Sequence, residues 1–417
     1  MSLANTQVSD TVSNYSPVYS KYIVGSVKLG LSSDTSLGLV TGNAYRNTLR
    51  VTNDLGGQLV FRNTITSYNV QDLFKYGKHT FRVGVEYRDN QMPTAPLGGG
   101  EVSYKVVAPS FMWSWAIADN FTTSVAVRSD SLSLKRTGTF PAGFPLADNA
   151  LWDRKISAFS YNAGAVWRVD EKDTLKLMAA KGIQAPTLIE LGGIQLTVPL
   201  PVGALAVMGN PGMRPSIVKN TELSYDHNFK AVKVGVRLFS QTTTNVMGQA
   251  SFASLFQAPT QTTYPAISWD NAANSKADGF ELSASGKYAS GVRWSGDYTA
   301  THIKDTALPG NGLLDRLAAF GMTTPKGRGN ASLGWTGGKW SVDGFVHYTT
   351  AFAGYAFNTG ALTPIKAYTT LAGNISYAIT PKMSVAVSGQ NLGNSHQVQT
   401  TGLRVPQTVF LTLNSNW

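Results

Sequence analysis

Residues 174–225 read TLKLMAAKGIQAPTLIELGGIQLTVPLPVGALAVMGNPGMRPSIVKNTELSY, and this stretch decides the fold. It opens as an alternating strand in which Leu175, Leu177 and Ala179 fall on one side and Thr174, Lys176 and Met178 on the other. Period-two alternation describes a sheet with two different surroundings. The strand breaks at IQAPTLIELGG, and a second begins at TELSYD. Roughly thirty-odd residues lie between, too many for a hairpin turn and more than compact soluble domains usually tolerate. Such a connection is either functional or disordered. Pro and Gly end strand pairing, and Asn-Pro favours turn initiation. On one reading, then, Gln184, Ala185, Pro186, Gly209, Asn210 and Pro211 only shape the base of a loop.

The same alternation recurs outward from this stretch. Phe81, Val83, Val85 and Tyr87 oppose Arg82, Glu86 and Arg88; Val232, Val234, Val236 and Leu238 oppose Lys233 and Arg237. Leu282 and Ala284 oppose Glu281 and Lys287, and Trp294 opposes Arg293 and Asp297. Every charge in these strands lies on one side. A lipid-facing Arg or Lys at mid-depth costs about 2–4 kcal/mol, and the segregation is what that penalty predicts.

Composition agrees. Charged residues make up only 14% of the 417, with 11% aromatic, 41 glycines and a mean hydropathy of -0.09. No run of eighteen apolar residues occurs, which excludes helical spans. Alternation halves the apparent hydropathy of a strand that meets lipid on one face. Cysteine is absent, so there is no disulfide framework and no Cys-ligated metal site. The net charge of +11 fits either an electropositive vestibule for anionic ligands or basic residues at the membrane rim, near lipid phosphates. The basic residues form no stripe of the kind a nucleic-acid face requires.

Short polar turns (SSDT, YGKH, ADNF, VDEKD, HNFKA, YASG, TGGK, ITPK) join strands in pairs, and longer loops join the pairs. Short turns on one rim and long loops on the other describe a transmembrane barrel. The strands number about 17, an odd count where single-chain bacterial barrels are even. Tyr87, Trp167, Tyr225, Phe229, Tyr288, Trp335, Trp340, Tyr348 and Tyr377 sit at strand ends, where an interfacial girdle places them.

Two motifs in the opening stretch carry a family resemblance. Gly182-Ile183-Gln184-Ala185-Pro186 leads to Leu188, Glu190 and Leu191, and Gly209-Asn210-Pro211-Gly212-Met213-Arg214-Pro215 leads to Asn220, Glu222 and Leu223. In this order and between strands, they resemble the TonB-dependent outer-membrane receptors. The departures are Ile183-Gln184, where the family often has Phe-Arg, and Ser216, where an acid is common. FKYGKHTFRVGVEYRDN over 74–90 resembles the family's hairpins, and SVAVSGQNL over 384–392 its penultimate strand. The last strand, 408–417, ends on Trp417 as such barrels do, with Ser415 departing from the usual apolar residue.

The resemblance implies an all-β, transmembrane antiparallel barrel that is incomplete, with about 17 of the usual 22 strands, about five missing upstream, and no plug domain. Residues 1–18 are expected as a leader or the remnant of an outside loop, and 19–417 as the later strands of the barrel. MSLANTQVSDTVSNYSPVYSKY has no basic n-region and no apolar h-region, so it is not a signal peptide. The expectation is a start further upstream or a fragment. The implied function is energised uptake of a large, scarce ligand across the Gram-negative outer membrane, a ferric siderophore by default. Its partners would be outer-membrane lipid, that ligand, and the TonB complex if a plug lies upstream, with no nucleic acid. A passive porin, a soluble β-sandwich and a truncated, non-functional receptor remnant stay open as alternatives.

Loops at 186–215, 247–274 and 305–324 are the candidate capture surfaces, with Arg214, Tyr264, Trp269 and Arg316 as ligand-contact candidates. His79, His227, His302, His347 and His396 are dispersed, without the spacing of a metal site. No His occurs between Pro186 and Asn210, where haem-uptake members typically carry one. GxSxG is absent, and Gly98-Gly99-Gly100 lacks the Lys-Ser/Thr of a phosphate loop. No enzyme activity and no cofactor are expected.

Overall fold

In the computed structural model, the described residues are 2–12, 16–53, 59–93, 99–140, 148–200, 203–257, 262–308, 319–356 and 361–415. The first nine strands are β1 (Ser2–Val12), β2 (Ser16–Asp34), β3 (Leu39–Asn53), β4 (Leu59–Tyr76), β5 (His79–Pro93), β6 (Gly99–Ala118), β7 (Phe121–Thr139), β8 (Arg154–Arg168) and β9 (Asp173–Gln184). Each pairs antiparallel with the next. A short helix, α1 (Leu188–Gly192), and the hairpin β10 (Ile194–Leu200) and β11 (Gly203–Met208) follow. The wall then resumes with β12 (Ser216–Asn228), which pairs with β9.

It continues through β13 (Val232–Gln257), β14 (Thr262–Lys287) and β15 (Val292–Ala307); α2 (Phe320–Thr323) precedes β16 (Gly327–Gly337) and β17 (Trp340–Thr349). A hairpin of β18 (Phe352–Ala356) and β19 (Ala361–Ile365) stands apart from the wall. The last strands are β20 (Tyr368–Thr380), β21 (Met383–Leu392), the bridge β22 (His396–Gln397) with β23 (Val405–Pro406), and β24 (Thr408–Ser415). From β2 to β24 the described residues form one antiparallel wall of 17 strands. Within 1–18, expected as a leader or loop remnant, β1 lies along β2 as one more strand.

Side-chain alternation sets the two faces. Val83, Val85, Leu177, Leu223, Leu238, Leu282 and Ile375 are all exposed, and all point outward. A soluble protein rarely bares an apolar band of this extent, whereas a barrel wall turns it toward lipid. The inward face carries charges that neutralise one another. Arg128 donates to Glu86 at 2.9 Å and to Asp130 at 2.7 Å; Lys176 reaches Asp226 at 2.7 Å; Arg237 reaches Glu222 at 3.0 Å; Arg293 meets Asp343 at 2.5 Å.

Short turns fall where the sequence placed them, with Gly77, Gly291 and Gly338 in the left-handed region that an L side chain avoids. Beside them lies an aromatic rim that includes Trp340 and Tyr377 of the expected set, whereas Tyr87, expected at a strand end, falls within β5. His79 stacks on Trp115 at 5.4 Å and receives the Trp113 indole N–H at 3.0 Å; Trp340 packs on Tyr377 at 4.7 Å. Several large rings lie flat over a glycine directly across the ladder: Phe239 over Gly279, Trp294 over Gly286, and Tyr298 beside Gly329.

One expected loop is not a loop. Residues 247–274 were expected to be a capture loop, but β13 and β14 run on through it as a ladder, Met247 facing Asn271 and Leu255 facing Tyr264. Each of these strands holds 26 residues, against roughly 9–11 needed to cross the hydrocarbon. The remainder stands above the membrane, where pairing across the ladder satisfies its backbone donors and acceptors.

Candidate functional site

The long-loop mouth of the wall is closed on one side by its own small core. At the upper ends of β5–β8 the inward face turns apolar: Met92, Val102, Val106, Leu132, Leu134 and Ile156 are buried there. Onto them pack Leu188 and Leu191 of α1, Met213, and Trp152 from a 3-10 turn at Asn149–Trp152. Trp152 is 1% exposed, and its indole N–H donates to the Leu191 carbonyl at 2.9 Å. Arg136 is also buried, donating to Asn149 Oδ1 at 2.6 Å and to the Thr139 carbonyl at 2.9 Å, with its guanidinium 3.5 Å above the Phe140 ring.

The two sequence motifs meet at this core. Thr187 and Glu190 form a reciprocal capping box that starts α1, satisfying backbone donors the helix would otherwise leave open. Pro186 is fully buried at its base. Gly209 donates its N–H to the Gly193 carbonyl at 2.7 Å, and Asn210 donates to Glu190 at 2.8 Å. The Asn210 side chain accepts the Gly212 N–H at 2.8 Å, and Pro211 and Met213 turn inward. Gly209 is required because the backbone of Leu191 and Gly192 occupies the place a Cβ would take. Gly209→Val is therefore expected to cost about 1–3 kcal/mol by overpacking against backbone. Limited proteolysis should show faster cleavage within 186–215 while the wall keeps its strand content.

Two clefts flank this folded-in connection. One, of about 390 Å³, is lined by Gln184, Glu190, Ser216, Gln241, Thr243 and Phe320 among others. The other, of about 370 Å³, is lined by Arg88, Tyr104, Arg128, Asp130, Ala185 and Pro215 among others. Polar and charged groups converge in both against apolar backing, the general form of a small-molecule site. Among the described residues no cluster of His, Cys, Asp or Glu has the makings of a metal site.

The ligand-contact candidates part company. Arg214 is exposed; its N–H donates to Asn271 Oδ1 at 2.8 Å, and its carbonyl accepts from Asn271 Nδ2 at 2.8 Å. Trp269 packs half-buried against the mouth core, and its indole N–H has no hydrogen-bond partner among the described residues. Asn271 thus ties Arg214 to the β14 segment that carries Trp269. Tyr264 lies in β14 opposite Leu255, but its side chain is outside the described residues, and so is the whole of Arg316. Gln184 and Ala185 open onto different clefts, whereas Gly209 and Asn210 tie the connection to α1. Sequence reasoning missed Trp152, Arg136 and Asn271. The legible signal for the first two was the apolar parity in β7, which moves from Val125 and Val127 to Leu132 and Leu134.

The architecture has known counterparts. The siderophore receptor PirA from Acinetobacter baumannii superposes with a TM-score of 0.69 at 14% identity, covering 96% of this chain and 62% of that one. An FrpB iron transporter from Neisseria meningitidis gives 0.69 at 14%, over 96% and 64%. The ferric yersiniabactin uptake receptor FyuA from Yersinia pestis gives 0.66 at 14%, over 95% and 60%. The chain thus spans less than two thirds of the length of these structures. No curated protein sequence matches it. The family model described as TonB dependent receptor-like, beta-barrel matches residues 3–392. With strand order, faces and motif connection as described, the chain belongs to the TonB-dependent receptor β-barrel family, whose members reside in the outer membrane.

Proposed function

We propose that this chain forms the wall and mouth of a receptor that takes up a ferric siderophore or a similar iron chelate. The TonB complex would supply the work if a plug is joined to the barrel. One observation carries this reading: the motif connection folds into the mouth and leaves clefts of about 390 and 370 Å³ on either side of it. Those volumes fall in the ordinary range for small-molecule sites. Tyr104 and the paired Arg128 and Asp130 line one cleft, so a chelate there would meet an aromatic ring and charge-assisted hydrogen bonds rather than a free cation. The iron-uptake neighbours support the same substrate class.

The test is a titration of the chain, folded in detergent, with a ferric catecholate, a ferric hydroxamate and a small sugar, read by tryptophan fluorescence. One ferric chelate should bind saturably. Its affinity should fall about tenfold, or about 1.4 kcal/mol, in Gln241→Ala or Phe320→Ala. If no chelate saturates and liposome swelling shows free passage of the sugar, uptake of iron chelates is the wrong reading.

A further inference from the structure

Measured upward from the short YASG turn, β15 pairs with β16 from Val292 to Ala300, where Gly327 is the last partner. That is about the length a strand needs to cross the hydrocarbon, so the two strands part at its outer edge. Among the described residues no other strand takes the place of β16 above that point. α2 lies there instead. Its Gly321 N–H donates to Asp305 at 2.7 Å, and a Cβ on Gly321 would stand only 2.8 Å from the Ile303 carbonyl. The helix is four residues long, lacks a side-chain cap, and leaves Phe320 and Met322 exposed.

Ile303 and α2 divide two spaces. One is the mouth cleft of about 390 Å³, with Ile303 and Phe320 in its wall. The other is a cleft of about 470 Å³ in the seam itself, with Ile303, Gly321 and Met322 in its wall. His302 and Lys304 also line it, and both are exposed on the same parity of β15 as the outward Tyr298, so this cleft opens on the outer side of the wall. One side chain and one turn of helix therefore part the mouth from the membrane. The rest of the apolar lining is Ala272, Ala273, Ala307 and Ala319, small groups that leave room for a chain of methylenes.

One polar atom in the seam lacks a partner. Asp305 gives one carboxylate oxygen to Gly321, whereas its Oδ1 is buried and accepts no hydrogen bond among the described residues. A buried acceptor of this kind calls for a donor. An amide joining a polar head to an acyl chain would supply the N–H, and its carbonyl would find donors in Lys304 or Lys326.

We infer that the mouth takes amphiphilic iron chelates, with the head in the cleft beside Phe320 and the acyl chain leaving through the seam between β15 and β16, over Ile303 and past α2, into the outer leaflet. Such a ligand is captured from the membrane surface as well as from solution. The inference rests on the reading of the mouth as a chelate site and adds the class of chelate.

The 417-residue chain is folded into phosphatidylcholine vesicles. It is titrated with a ferric catecholate and a ferric hydroxamate, each with and without a dodecanoyl chain joined through an amide. For the head that binds, the acylated chelate should bind wild type at least about tenfold more tightly than Ala307→Trp, which fills the seam. The unacylated chelate should bind both proteins alike, and partition into lipid is common to both and cancels. A diazirine halfway along the chain should, after irradiation, mark Ala319, Met322 and residues 302–307, read by peptide mass spectrometry. Equal affinity of the acylated chelate for wild type and variant, or marks confined to the wall below Ala300, would overturn the inference while leaving chelate binding intact. So would equal marking of the seam by a diazirine-bearing lysophosphatidylcholine, which would assign it to membrane lipid. Should Ala307→Trp fail to fold, the marks on wild type decide. Saturable binding of no chelate at all would instead remove the reading of the mouth, and this inference with it.

Discussion

Trp152→Ala should be the most damaging single substitution in the mouth, costing about 3–5 kcal/mol. The ring is 1% exposed and fills the centre of the cluster that holds α1. Truncation removes its transfer free energy, leaves a cavity between Leu134 and Leu191, and deprives the Leu191 carbonyl of its indole donor. Few neighbours can relax into the space, because the wall behind them is a hydrogen-bonded ladder. Hydrogen exchange is the measurement: amides of 187–193 and 209–213 should lose protection while those of β12–β17 keep theirs. Unchanged protection in α1 would mean that the mouth core is not what holds the connection in place. Trp152→Phe, which restores most of the volume without the donor, should recover more than half of the loss.

The second large effect concerns sidedness. Leu238→Arg should cost about 2–4 kcal/mol in a bilayer, because position 238 points outward at mid-wall and guanidinium has no partner in hydrocarbon. Ser283→Arg, one strand away but facing the lumen opposite Asp297, should stay within about 0.5 kcal/mol of wild type. Urea unfolding of both variants in vesicles gives the comparison. Similar costs for the two would contradict the assignment of faces. In detergent the Leu238→Arg penalty should shrink, since micelles let the side chain reach water.

Much of this fold was legible in the chain. Charges confined to one parity over 79–88, 232–239, 280–287 and 292–298, the parts of these strands nearest the short turns, gave the faces, because lipid penalises a misplaced charge more heavily than any propensity rewards it. Polar turns such as YGKH and TGGK gave the register, since only a few residue types fit φ > 0. The mouth was harder. Above the membrane the rule reverses: apolar residues of β7 move to the inner parity at Leu132 and Leu134, and averaging along the strand conceals the switch. Arg136 follows on the same parity and reads as a lumenal charge, although it is sealed between Phe140, Asn149 and Thr139. Thr139 and Phe140 follow it along the chain, but Asn149 and Trp152 reach it from the 3-10 turn beyond β7. Residues 247–274 were misread because polar, turn-rich sequence resembles loop, whereas alternation there is set by strand pairing without a lipid face to sharpen it.

The motif was found, and its residues have different surroundings in the structure. Gly209 is a matter of backbone fit, decided by its closeness to the end of α1. Gln184 and Ala185, adjacent in sequence, open to different clefts because the strand ends between them. Asn271 could not be singled out from sequence, because its worth lies in two hydrogen bonds to a residue more than fifty positions away.

The rings seated over glycines have a mechanical meaning. Phe239 fits where Gly279 leaves room and Trp294 where Gly286 does, and neither has an equivalent berth two residues along its neighbour. Sliding one strand past the next would have to lift each ring out at once, with every ladder bond strained in the same instant. A load applied along the strands is thereby shared across neighbouring pairs, and the wall should answer force as a stiff shell while its mouth deforms.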